Sequence, residues 1–218
     1  MESKTDLQDT PARLYMDSPG IQWRYGLPDY SVVNKKFLAE RTKVHKEGSL
    51  EKVVEDLVKT WEMETGNKLD PKDWVTVDQD NFFVRVNGGE KFTKDDYVKD
   101  GNYNLMLRNC PLYDAGKHSF DSSQDLFRGV FKSGFAWEVL DVFSGPPTVA
   151  FTWRHWGNFE GQYKQTPATG ETIEMYGCCV AKVTDQLKIQ SVDVYFDPNI
   201  MMAKFTGCTG GKICPLSH

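Results

Sequence analysis

Apolar positions recur along this chain with two different periods, and the period changes near residue 135. Upstream, Leu50, Val53, Val54, Leu57 and Trp61 follow offsets of three and four, the spacing of a helix with one apolar stripe. Ser49 stands as its N-cap, Glu51 supplies first-turn acidity, and Gly66 predicts the stop. A helix over 30–44 carries Val33, Phe37 and Leu38. Another, starting at Ser122 or Ser123 and ending before Gly134, presents Leu126, Phe127, Val130 and Phe131. Between them, 74–77 and 82–86 read as a hairpin around 78–81, with Asn87-Gly88-Gly89 closing the second run. Thr93 predicts the cap of a short helix reaching Gly101, and 109–121 is irregular.

Downstream of 135 the period falls to two. Strands are expected over 135–143, 147–156, 171–184 and 187–196, joined by Ser144-Gly-Pro-Pro, a loop at 157–170 and a tight turn at Thr184-Asp-Gln. Helices first and long antiparallel strands last predict an α+β fold, a curved sheet with helices on one face. Alternation assigns the faces. Val149, Phe151, Trp153 and His155 share one, Thr148, Thr152 and Arg154 the other, and Ile173, Met175 and Cys179 join the first set. Asp193, Tyr195 and Asp197 project together from the last strand and are expected to enter the same cavity.

The 218 residues suit one large domain with extensions: an N-terminal arm over 1–20, a body over 21–205 with an insertion around 70–118, and a tail over 206–218. Aromatic content of 13%, with six tryptophans, provides for a core and for cavity walls. A formal charge of −5 and the absence of any basic run argue against nucleic acid as a partner. No signal-peptide core or membrane-length apolar run is present, so the expectation is a cytoplasmic or nuclear protein without membrane insertion. Five cysteines, an odd number, agree with a reducing compartment. Cys208 and Cys214 stand in the tail as free thiols or as a redox pair. No metal-ligand spacing, dinucleotide fingerprint or Ser-His-Asp order occurs, so neither metal nor cofactor is expected.

Two sets of residues carry a resemblance. Gly157 and Gly161, Pro167-Ala-Thr-Gly170-Glu, the run 180–189 and Tyr195-Phe-Asp197 resemble the SnoaL-like branch of the nuclear transport factor 2-like fold. This sequence departs from that branch's Gly-Thr-His and Asp-Gly-Lys-Ile, having His155-Trp156-Gly157-Asn158 and Gln186-Leu-Lys-Ile. Over nearly the whole chain, Glu47-Gly-Ser-Leu-Glu, Lys59-Thr-Trp-Glu-Met-Glu, Val86-Asn-Gly-Gly, Phe135-Ala-Trp-Glu-Val-Leu, Arg154-His-Trp-Gly and Tyr195-Phe-Asp-Pro resemble the plant pathogen-related protein group. The resemblance implies a plant source and a cone-shaped sheet wrapped on its concave face by N-terminal helices, with an inserted β-hairpin. It implies no reaction, because a fold does not supply one.

The expected ligand pocket is built from Trp61, Phe127, Phe131, Trp137, Phe151, Trp153, His155, Met175, Cys179 and Tyr195. By resemblance, Asp197 stands where cyclase-like relatives carry an acid/base aspartate, with Asp193 beside it. Equally, Asp197 before Pro198 fits a helix cap, and Asp193 fits a surface charge paired with Lys188 or Arg154. His155 is either a core histidine or a base. Three functions follow: a binding or accessory protein of plant defence or specialised metabolism, holding a terpenoid, polyketide or steroid-like metabolite or docking to partner enzymes; a cofactor-independent cyclase or isomerase using a pocket aspartate; or an interaction protein forming a homodimer through its sheet.

Overall fold

A computed structural model describes residues 10–207. The elements, in chain order, are α1 (Ser31–Glu40), α2 (Leu50–Asn67), β1 (Phe83–Val86), β2 (Lys91–Phe92), α3 (Lys94–Met106), α4 (Phe120–Val130), β3 (Ala136–Ser144), β4 (Thr148–Asn158), β5 (Thr172–Val183), β6 (Ile189–Phe196) and α5 (Asn199–Thr206). They form one curved, unclosed sheet in the order β2-β1-β6-β5-β4-β3. The α+β class and the four long strands are as expected. Cys208, Cys214 and residues 1–9 lie outside the described residues. No helix of the described residues is long and apolar enough to cross a membrane.

The local signals placed most elements. Ser49 caps α2 by accepting from the Lys52 amide, and Thr93 forms a capping box with Asp96 at the start of α3. Other boundaries moved. Gly66 lies inside α2, which runs on to Asn67. The third amphipathic helix starts earlier than expected, because Ser119 rather than Ser122 or Ser123 is its cap, and Ser122 completes the box. α3 continues past Gly101 to Met106 with a kink there: Gly101 has φ +77°, and an added Cβ would lie 2.8 Å from the Phe120 ring.

The expected hairpin pairs differently. Residues 74–77 do not pair with 82–86. The Val75 and Thr76 amides donate instead to the Glu64 carboxylate of α2, at 2.8 and 2.9 Å. β1 turns at Asn87-Gly88-Gly89 into β2, and its other edge runs parallel to β6, Phe83 opposite Ser191 through Val86 opposite Val194. Phe82 and Tyr97 of this segment pack on Trp61, and Trp74 packs on Tyr97, so residues 74–97 extend both the sheet and the core.

β4 and β5 pair without interruption from Thr148↔Lys182 to Asn158↔Thr172. Val149, Phe151, Trp153 and His155 therefore do share one face, and α2 and α3 cover it. α1 is the exception among the N-terminal helices. Its Phe37 stacks on Trp156, and the Trp156 indole donates to Glu40, on the opposite face of β3 and β4. There Arg154 pairs with Glu138 at 3.0 Å, and Glu138 also accepts from the Thr42 and Lys43 amides, which ties the chain after α1 to β3. Residues 12–14 also run along α2, with the Ala12 amide on Asp56 and the Leu14 amide on Thr60 Oγ1.

Candidate functional site

Helices over a concave sheet leave space wherever their side chains do not meet the strands. Here α2 supplies Val54, Leu57, Val58 and Trp61 from its apolar stripe. The sheet supplies Trp137, Phe151, Trp153, Met175, Cys179 and Val194, and the apolar cavity between them is about 170 Å³. Its surface rim is formed by half-buried Leu50 with exposed Pro146 and Leu187. A second, wider cleft of about 520 Å³ lies between α2, α4 and the segment that precedes α1. The two spaces share Glu62, Asn102, Tyr103, Phe135 and His155 as lining residues, so these five side chains form the boundary, or throat, between an apolar chamber and a more polar cleft.

The throat is where the chemistry concentrates. Glu62 lies inside the protein envelope, yet 43% of its side chain is solvent-reachable because it faces the cleft. Lys59, one helical turn back and only 3% exposed, donates to it at 3.0 Å and lies 5.2 Å from the Trp137 ring centroid. Burial opposes ionisation of Glu62, but the charges of Lys59 and Arg13 outweigh it and hold the carboxyl below its ordinary range. Burial in turn lowers the pKa of Lys59, against the pull of Glu62. His155 stacks on Phe135 with ring centroids 3.5 Å apart. Burial first, then the charge of Lys59, drives its pKa down to about 3, so it stands neutral at ordinary pH. Burial raises the Tyr30 and Tyr103 phenols, which stay protonated. The site thus offers a fixed carboxylate, a neutral imidazole and two phenols beside an apolar chamber. Among the described residues no group of three His, Cys, Asp or Glu is placed to hold a metal.

The structure sorts the expected pocket residues. Trp61, Trp137, Phe151, Trp153, His155, Met175 and Cys179 line the apolar chamber. Phe127 and Phe131 line the polar cleft instead. The expectation that Asp193, Tyr195 and Asp197 enter the cavity is corrected. They do alternate together, but Val192, Val194 and Phe196 take the cavity side, because the apolar set of a strand goes to the buried face. Asp193 pairs across the outer face with Arg85 of β1, rather than with Lys188 or Arg154. Tyr195 is exposed there. Asp197 is exposed and accepts from the Asn199 amide at 2.9 Å, a turn just ahead of α5, whose N-cap position is Pro198 rather than Asp197.

Sequence reasoning did not single out Glu62, Lys59, Arg13, Asn102 or Tyr103 for the site. One signal was available. Glu62 follows Val58 by four residues and so borders the apolar stripe of α2, where a carboxylate is not simply solvated.

No family model matches the chain. It is similar to the pathogen-related protein of Hordeum vulgare, with 38% identity over 191 residues, covering 84% of this chain and 81% of that protein. Among solved structures it is similar to a proposed SnoaL-like polyketide cyclase from Jannaschia sp. CCS1, with TM-score 0.40, 11% identity and coverage of 74% of this chain and 97% of that one. A proposed polyketide cyclase from Acidithiobacillus ferrooxidans gives TM-score 0.44, 13% identity and coverage of 75% and 99%.

Proposed function

The chain belongs to the pathogen-related protein family, and from that premise we propose that it binds a small hydrophobic molecule in the chamber between α2 and the concave sheet face. One observation carries the reading: an almost wholly apolar cavity, walled by Trp61, Trp137 and Trp153, with polar groups only at the throat. Such a chamber with a few convergent polar groups is the usual form of a small-molecule site. Its volume of about 170 Å³ compares with about 150 Å³ for an engineered cavity that stays dry and binds benzene. A ring or short chain therefore fits as it stands. A terpenoid, polyketide or steroid-like metabolite would extend through the throat into the wider cleft.

An enzyme using Asp193 or Asp197 is not supported, since neither side chain faces the chamber. Acid/base turnover inside the chamber would fall to Glu62 or His155. The low pKa values of both leave them weak bases, which supports binding over catalysis.

Equilibrium titration of a panel of monocyclic and linear terpenoids, polyketides and steroids, read by tryptophan quenching, tests the proposal. Ala181→Phe fills the chamber from β5. Binding that falls at least ~10-fold in this variant, with the fold retained, supports the reading. Affinity unchanged by filling the chamber, or no binding across the panel, defeats it.

A further inference from the structure

The cleft beyond the throat carries a surplus of positive charge. Arg13, Lys59, Arg128 and Lys132 line it, against Glu62 and Asp29. Glu62 pairs with Lys59 at 3.0 Å and also feels Arg13, and Asp29 is turned to the Ser31 amide at 2.8 Å, so four cations face two carboxylates. Arg13 is held by Asn34 at 3.0 Å and lies 3.8 Å from the Tyr30 ring centroid. Arg128 lies 4.7 Å from the Tyr25 ring. Among the described residues no carboxylate forms an ion pair with Arg13, Arg128 or Lys132. Arg13 and Arg128 line one cleft together with Tyr30 and Tyr103.

We propose that the bound molecule is an acidic amphiphile. Its carboxylate or phosphate head sits in the cleft among Arg13, Lys59 and Arg128, and its apolar body passes Tyr103 and His155 into the chamber. This rests on the ligand-binding reading above and adds the head group to it. Guanidinium groups pair with such oxyanions by charge-assisted, often bidentate hydrogen bonds, and two of them line this cleft. Glu62 is the one opposing charge in the throat, and Lys59 offsets it at contact distance.

The test uses the full chain and four eight-carbon probes that differ only at the head: octanoic acid, octyl phosphate, 1-octanol and octylamine. Octanoate or octyl phosphate should bind at least ~10-fold more tightly than octanol, with octylamine weakest, and the preference should shrink as salt rises. Whichever acid binds more tightly identifies the head. Arg13→Met with Arg128→Met should bring the acids down to the level of octanol and leave octanol itself unchanged. Arg128→Met alone, on the exposed face of α4, serves if the double variant unfolds. Glu62→Gln should tighten the acids severalfold. Octanol binding as tightly as the acids, or octylamine more tightly, overturns the acidic head while the chamber reading stands. Failure of all four to bind overturns both.

Discussion

Replacing Glu64 by Gln should be the costliest conservative change in this protein outside its aromatic core. Glu64 and Lys68 are both 0% exposed and 2.9 Å apart. The carboxylate accepts from Lys68, from the Val75 and Thr76 amides and from the Thr76 hydroxyl at 2.6 Å, while Lys68 also donates to the Asp73 carbonyl. Glutamine keeps the shape but leaves a buried ammonium without a counter-charge and turns an amide N–H₂ toward existing donors. Breaking one side of a buried pair costs about 3–5 kcal/mol. At roughly 2–4 °C per kcal/mol for a domain of this size, the melting temperature should fall by roughly 6–20 °C. Lys68→Met should cost less, about 1–3 kcal/mol, because the carboxylate keeps three donors. The loss also reaches the cavity, since Ile189, which lines it, donates its amide to the Thr76 carbonyl at 2.8 Å. Urea unfolding followed by circular dichroism measures both variants. Equal costs, or a Glu64→Gln cost under 1 kcal/mol, would refute the assignment of this pair as an asymmetric buried lock.

Other outcomes follow from the same geometry. Gly177→Ala should destabilise by about 1–3 kcal/mol and weaken ligand binding, read by tryptophan emission and titration, because its Cβ would lie 2.3 Å from the Trp153 ring and 2.6 Å from the Tyr195 carbonyl and push the indole into the chamber. The unfolded chain protonates its imidazole near 6.5, whereas His155 in the fold resists to about 3. Stability is therefore complete above 6.5 and declines as pH falls toward 3, by up to about 1.4 kcal/mol per pH unit from this group; His155→Gln should flatten the pH profile of the melting temperature by that difference, and a profile unchanged from wild type would count against a neutral His155. Asp193→Asn should cost only about 0–1 kcal/mol, since its Arg85 partner is partly exposed, and should leave ligand affinity unchanged by titration; a lost affinity would return Asp193 to the site.

Periods, caps and alternation are local, and the sequence alone determined them. The stripe of α2, the caps Ser49 and Thr93, and the four long strands were legible because each depends on residues within a turn or two of one another. So was the sharing of a face by Asp193, Tyr195 and Asp197. Which face they took was decided by tertiary structure: pairing of β6 with β1 and β5 commits Val192, Val194 and Phe196 to the cavity and sends the carboxylates outward to Arg85. The alternating Val-Asp-Val-Tyr-Phe pattern carried that answer, but resemblance to an acid/base position drew the reading the other way. The fate of residues 74–77 also lay beyond local pattern, because a strand-like run takes whichever partner satisfies its amides, and here that partner is a helix carboxylate eleven residues before Val75 and twelve before Thr76. The throat is the extreme case. Arg13, Glu62, Tyr103 and His155 come from four separate parts of the chain, and only packing α2 across the concave sheet brings them to one cleft, where the Arg13 charge acts on Glu62. Coulombic coupling depends on distance in space, and no spacing along the sequence encodes it.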